Sequence, residues 1–157
     1  MKEIKLTQGR VALVDDEDYD FLNQWKWRIY YDKHKYYYAK RTEIRNGRCI
    51  TIRMHRLIMK TPPGMETDHI DHDGLNNQRY NLRNVTHAQN QMNRNAKANG
   101  LSKYLGVCLM RNKYRARIRV NNRTIHLGCF EKEDEAAIRY DRAAILYHGE
   151  FANLNFK

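Results

Sequence analysis

The sequence predicts an α+β chain in two parts. The first is a small antiparallel sheet leading into a strand–loop–helix unit; the second is a three-stranded antiparallel sheet packed on one helix. Three patterns predict this. Apolar and polar residues alternate in short runs closed by Asn46-Gly47 and Asn121-Asn122, the signature of hairpins. Ala136, Ala137, Tyr140, Ala144 and Tyr147 recur at helical spacing and form one stripe. Between the parts, RNAKANGLS at residues 94–102 is small, polar and basic and reads as a linker. Residues 1–95 are therefore read as one domain, 96–102 as a basic linker and 103–157 as a second domain.

In the first part, Ile4/Leu6 and Val11 to Val14 read as short strands. Asp15 and Asp16 start a helix that carries Phe21, Leu22 and Trp25 inward. Trp27, Ile29 and Tyr31 alternate as a strand, residues 32–35 turn, and Tyr36 to Arg45 pairs through Asn46-Gly47 with Arg48 to Arg53. The cluster Tyr30, Tyr31, Tyr36, Tyr37 and Tyr38 is expected to lie half in the core and half at the surface. MHRLIM, residues 54–59, reads as a short helix with Leu57 and Ile58 buried, ended by Thr61-Pro62-Pro63-Gly64.

In the second part, Tyr104 to Leu109, Lys113 to Val120 and Arg123 to Leu127 read as strands. Arg115, Arg117 and Arg119 share one face; Tyr114, Ala116, Ile118 and Val120 share the other. A two-residue turn pairs Ile118 with Ile125, Ala116 with Leu127, Arg117 with His126 and Arg119 with Thr124, so both strands agree on which face is apolar. A helix over residues 132–148, closed by Gly149, covers that face and leaves the arginines free.

The net charge is +11 and its placement is informative. Between Asp73 and Glu131 there is no acidic residue, while Arg79, Arg83, Arg94, Lys97, Lys103, Arg111, Lys113, Arg115, Arg117, Arg119 and Arg123 all fall there. A one-sign stretch inside folded-looking sequence points to a polyanion partner, because a surface that is merely solvated mixes both signs. No apolar run is long enough to span a membrane, and MKEIKLTQGR lacks the apolar core of a signal peptide, so an intracellular protein is expected. Cys49, Cys108 and Cys129 form no CxxC pair and are expected to be buried free thiols.

The chemistry lies in Asp68 to Asn93, DHIDHDGLNNQRYNLRNVTHAQNQMN. Asp68 and His69 stand side by side, an Asn-rich loop follows, and Thr86 with Gln89 can make the capping box of a helix that contains Asn90. Hydrolysis of a phosphodiester needs an activated water and a cation near the leaving oxygen. A neutral imidazole takes a proton near pH 7, and carboxylate and amide oxygens suit a hard ion such as magnesium. Neighbours on a regular strand point to opposite faces. Asp68 and His69 can therefore share a site only if the strand ends or bulges there, which Gly74 and the loop allow. The plain alternative is a polar surface loop with incidental histidines. Twelve residues from His69 to Asn81, nine more to Asn90, and the capped helix together favour a site.

DHID, LNN and NLR in this order resemble the HNH nuclease motif, in the variant that ends in Asn, over residues 55–95. The resemblance implies a ββα-metal site: Asp68 and Asn90 hold one divalent cation, Mg2+ or Mn2+, His69 is the general base, and Asn81 braces the loop. The family more often carries Gly-Asn at His72 and Asp73. His55 resembles the histidine that often precedes the motif, and His55 and His72 are candidates for support of the site.

YLGVCLMRNKYRARIRV, IHLGCF, EAAIRYDRAA and FANLNF resemble the plant ethylene-responsive-factor DNA-binding domain, the Apetala type, over residues 104–156. The resemblance implies a sheet that enters the major groove, with Arg117, Arg119 and His126 on the contacting face. The chain departs from it at Leu105 and Cys108, where the plant domains carry arginines, and at His126, where they carry tryptophan.

Together these features describe a homing-type endonuclease of phage or bacterial style acting on double-stranded DNA. Arg94, Lys97, Arg111, Lys113, Arg115, Arg117, Arg119 and His126 are its expected DNA contacts. A monomer would nick; a homodimer could cut both strands. No other protein partner is expected. The rival is a DNA-binding transcriptional regulator with an inert HNH-like half, which metal-dependent nicking of a plasmid would separate. An RNA-binding protein is a third class, tested by duplex-DNA preference in competition.

Overall fold

The computed structural model describes residues 1–32, 36–95 and 101–156 and is the α+β structure that the sequence predicts, with helices set among small antiparallel sheets. The chain divides into two compact units, Met1–Thr86 and His87–Lys157. No helix of the described residues is long and apolar enough to cross a membrane.

In the first unit, β1 (Lys2–Lys5) pairs antiparallel with β2 (Val11–Val14). Helix α1 (Asp16–Leu22) opens with Asp16, Glu17 and Asp18, charges that suit the positive end of a helix. It is only two turns long, and Leu22 and Asp18 take its inner face. Phe21, expected inward, is 47% exposed and packs edge-on against Trp25, which lies beyond the helix end. Trp27 is 1% exposed, and its indole N–H donates to the Leu22 carbonyl at 2.8 Å. Around it sit Ile4, Leu6, Ala12, Val14, Leu22, Ala39, Met54, Ile58 and Leu82.

Strands β3 (Arg28–Tyr31), β4 (Tyr37–Arg45) and β5 (Arg48–Arg53) form a meander in that order. Asn46 and Gly47 both have positive φ, 50° and 71°, which is what a tight hairpin between right-twisted strands requires. Of the turn expected at 32–35, residues 33–35 lie outside the described residues. Ile29, Ala39 and Ile52 face the core, where the Arg41 guanidinium lies 4.3 Å from the Trp25 ring. Tyr30, Tyr31 and Tyr37 are exposed, and Tyr38 is half-buried. Helix α2 (Met54–Ile58) buries Met54, His55 and Ile58, with Leu57 half-buried. Strands β6 (Glu66–His69) and β7 (Leu82–Val85) pair antiparallel, His69 opposite Leu82 and Asp68 opposite Arg83. The residue pattern merges β7 into the loop, because LRNV has no clean alternation to mark it.

The second unit begins with helix α3 (His87–Met92) and contains β8 (Val107–Met110), β9 (Lys113–Val120), β10 (Arg123–Phe130) and α4 (Glu133–His148). Asn153 ties the chain after α3 to the C-terminal segment, donating to the Arg94 carbonyl at 3.1 Å and to Asn95 Oδ1 at 2.9 Å. The sheet order is β10-β9-β8. Ile118↔Ile125, Arg117↔His126 and Arg119↔Thr124 pair as expected, but Ala116 faces Gly128 and not Leu127. A bulge between His126 and Gly128 inserts one residue, so Leu127 has no partner of its own and β10 runs on to Phe130. The first strand begins three residues later than Tyr104, after a turn in which Gly106 has φ 75° and an added Cβ would lie 1.9 Å from the Tyr140 ring.

Ile118, Tyr140, Ala143 and Ala144 form the centre of this core. Tyr147, expected in the buried stripe, is 45% exposed, and His148 is buried in its place with Nε2 3.0 Å from the Arg119 carbonyl. Buried Asp141 fastens the tail: its carboxylate accepts from the Asn155 and Phe156 backbone N–H groups at 2.9–3.0 Å. The three cysteines are free but not buried as expected. Cys49 and Cys129 are exposed and Cys108 is half-buried, since all three stand on sheet faces away from the cores.

If the second unit has its own core, residues 87–157 expressed alone will unfold cooperatively in urea, and Ile118→Ala will cost that fragment about 2–5 kcal/mol. A fragment without a cooperative transition would show that the units fold only together.

Candidate active site

Strand β6 ends at His69, and the chain turns at once: the His72 N–H donates to the His69 carbonyl at 3.1 Å. The His69 side chain is 6% exposed. Its Nε2 lies 3.3 Å from Asn77 Oδ1, and Asn77 is itself 0% exposed. Asn77 Nδ2 donates to the Leu75 carbonyl at 3.2 Å, which fixes the amide with its oxygen toward the imidazole. The hydrogen of a neutral His69 therefore sits on Nε2, and the basic lone pair on Nδ1. Two further rings wall the imidazole, Tyr38 at 5.8 Å and His55 at 5.0 Å between centroids. His55 is 4% exposed, and its Nδ1 has no hydrogen-bond partner among the described residues.

The loop after His69 is held by amide side chains that bond to the Asp71 carboxylate and to the loop's own backbone. Asn81, 2% exposed, donates to Asp71 Oδ1 and to the Asn76 carbonyl, both at 2.8 Å, and accepts from the Asp71 N–H at 3.0 Å. Asn76 donates to Asp71 Oδ2 at 2.7 Å. The loop is then stitched to β2: the Leu13 N–H donates to the Leu75 carbonyl and the Asn77 N–H to the Leu13 carbonyl, both at 2.8 Å. Arg79 clamps its far end to α1, with Nε and Nη2 on the two oxygens of Asp18 at 2.8 and 2.7 Å. Gly74 is needed for space, since a Cβ there would lie 2.2 Å from the Tyr37 carbonyl oxygen and 2.6 Å from the Tyr38 ring.

Asp68 is 8% exposed and faces Arg83 across the ladder; Arg83 Nε and Nη2 donate to its Oδ2 at 3.0 and 2.9 Å. Asn90 lies half-buried on α3, in the second unit. Among the described residues no three His, Cys, Asp or Glu side chains gather as a metal cage. His72 is half-buried at φ 67° in the turn, and Asp73 serves that turn by accepting from the Leu75 N–H at 3.0 Å.

In the second unit, Arg117, Arg119 and His126 are exposed on one sheet face and Arg115 is half-buried there, its Nε without a hydrogen-bond partner among the described residues. Lys113 is exposed and pairs with Glu131 at 2.7 Å, Arg111 sits in the exposed hairpin turn at φ 56°, and Arg94 is exposed. Lys97 lies outside the described residues. Asn77, Tyr38, Asp71 and Arg83 escape a reading of the sequence alone. The Asn pair in LNN is the available signal for Asn77; nothing local in the sequence marks Tyr38.

Burial pushes the His55 imidazole well below its ordinary value, and His69, Arg53 and Arg56 act the same way. Burial also lowers His69, against the Asn77 bond and the carboxylates Asp71, Asp68 and Asp73. Asp71 is raised by burial but ends below its usual value, because the Asp73 N–H, Asn76 and Asn81 bond its charged form. Both histidines bind protons more readily unfolded than folded. Their stabilisation is complete above the ordinary histidine value of 6.5 and is lost as pH falls below it. The melting temperature should thus fall between about pH 7 and 5, and fall less in His55→Leu, which removes one of the two groups. Parallel pH curves for the two proteins would contradict the burial of a neutral His55.

Known proteins bear on the same residues. The sequence model of the HNH endonuclease family matches residues 54–92, the span from α2 through the loop to α3. An uncharacterised HNH endonuclease of Acanthamoeba polyphaga mimivirus is 32% identical over 143 residues, covering 86% of this chain and 73% of the viral protein. The chain belongs to the HNH endonuclease family.

Proposed function

We propose that the chain is a homing-type DNA endonuclease in which His69 is the general base, Asp68 and Asn90 hold one divalent cation, and the C-terminal sheet brings the nuclease module, residues 1–95, to its target. The carrying observation is His69 itself: buried, kept neutral by that burial, and held through Nε2 by Asn77 so that Nδ1 is its basic atom. In the reaction Nδ1 takes a proton from a water, the water oxygen bonds to phosphorus, and the bond from phosphorus to the leaving sugar oxygen breaks. Asn81 holds the turn that follows His69, and so holds the imidazole's direction.

The donors fit a hard cation. A carboxylate and an amide oxygen, completed by water and substrate phosphate, suit Mg2+ or Mn2+ better than a metal that needs a cage of His and Cys. When bound, the cation supplies positive charge at the leaving oxygen. Arg83 balances the buried Asp68 charge and must share that carboxylate with it. That same ion pair favours the second reading, a DNA-binding regulator with an inert catalytic half.

Support for targeting comes from the open face of β9. The helix covers Ala116 and Ile118 and leaves Arg117 and Arg119 to solvent, and Arg115 carries a buried Nε without a partner among the described residues. Guanidiniums so placed suit phosphates and guanine edges of duplex DNA.

The pure protein should nick plasmid DNA in Mg2+ or Mn2+ and stop in EDTA. His69→Ala should slow cutting about 10²–10⁴-fold with DNA affinity near wild type. Full-rate cleavage in excess chelator would remove the metal, and an affinity that falls as steeply as the rate would make His69 a contact residue.

A further inference from the structure

One face of the sheet β3–β4–β5 turns Ile29, Ala39 and Ile52 to the core, and the other is only partly covered, at Tyr38. The sheet's register places Arg28 opposite Lys40 and Lys40 opposite Arg53, so three cations stand in one row across three strands. Like charges directly opposite destabilise a sheet. Among the described residues none of the three pairs with a carboxylate; Lys40 Nζ lies 3.9 Å from the centre of the Tyr30 ring instead. Arg28 and Arg53 are exposed and Lys40 is half-buried. The rows on either side are Tyr30 with Tyr38 and Thr42 with Thr51, again without an acid. Tyr38 connects this face to the site, because its ring touches both His55 and His69. The cation row therefore lies one same-face step, roughly 7 Å, from a residue in contact with the catalytic imidazole.

We infer that Arg28, Lys40 and Arg53 form a phosphate-binding row for the stretch of duplex DNA beside the bond that is cut. The choice of DNA as the polyanion rests on the nuclease reading of His69. Strands about 4.8 Å apart make the row roughly 10 Å long, enough to face successive phosphates of one DNA strand. The repulsion among the three cations, uncompensated in the free protein, is relieved when phosphates lie over them. Tyr30 at one side and the Thr42 and Thr51 hydroxyls at the other offer donors to the same backbone.

The test is the full chain carrying Arg28→Gln, Lys40→Gln and Arg53→Gln together. Duplex binding is measured across a salt series in EDTA, so that the answer does not depend on cutting. The slope of log affinity against log salt should fall by about 0.9 for each phosphate no longer neutralised, roughly 2.7 for the three. The melting temperature of the free variant should hold or rise, because like-charge repulsion has gone; a purely structural role would lower it. Arg28→Lys with Arg53→Lys should keep the full slope. If the triple variant does not fold, Arg53→Gln alone, at an exposed position on an edge strand, should lower the slope by about 0.9. A triple-variant slope equal to wild type, beside a wild type that cuts, overturns the row and leaves the nuclease. A wild type that never cuts, beside a lowered slope in the variant, overturns the nuclease reading and leaves the row as a DNA-binding surface.

Discussion

The first unit depends on satisfying the buried amides of one loop, Asn76, Asn77 and Asn81. Residues 70–81 leave β6, bond to β2 and return as β7, and the buried ones among them, Gly74, Asn76, Asn77 and Asn81, have no water to hydrogen-bond. Four side chains, Asp71, Asn76, Asn77 and Asn81, and two backbone bonds to Leu13 satisfy the loop. Among these four side chains Asn76 Oδ1 is the buried atom without a partner. His69 inherits its position from this network, because Asn77 bonds β2 with its main chain and His69 with its side chain. The N-terminal strands and α1 are thus part of the site's support: β2 holds the loop's middle, and Asp15 and Asp18 hold Gln78 and Arg79 at its end.

Charge is arranged by the same logic of local balance. Along the sequence the stretch from Asp73 to Glu131 has no acid to answer its eleven cations. In space two of them are answered from outside the stretch, Arg79 by the α1 carboxylates and Arg83 by Asp68. Lys113 meets Glu131 at an exposed pair, which contributes little to stability. The cations that remain open in the described second unit include those on the outer face of β9, and in the first unit the unanswered row lies on β3, β4 and β5. Positive charge is therefore neutralised where it supports the fold and left bare on two sheet faces.

Much of this is legible from residue patterns. Asn46-Gly47 announces its hairpin, the β9 and β10 pattern announces a register correct up to His126, and the DHID and NLR segments fall on the paired strands of the site. What escapes depends on tertiary contact. The bulge at Leu127 follows from a glycine with φ 131° one residue on, and alternation alone is blind to an inserted residue. Phe21 and Tyr147 have the helical spacing of core residues, but two-turn α1 turns Asp18 and Leu22 inward and the last turn of α4 buries His148. Tyr38 comes from a distant strand, and its place against His69 is set by Gly74, whose missing side chain admits the ring.

Burial keeps His69 a neutral imidazole, and the Asn77 bond puts its hydrogen on Nε2 and its lone pair on Nδ1. This state can be measured directly by nitrogen-15 NMR of the histidine side chains in the full chain at neutral pH, with His69 assigned by comparison with His69→Ala. The expected result is a protonated Nε2 and an unprotonated Nδ1, with the tautomer becoming mixed in Asn77→Ala. An imidazolium, or a neutral ring with its hydrogen on Nδ1, would contradict it.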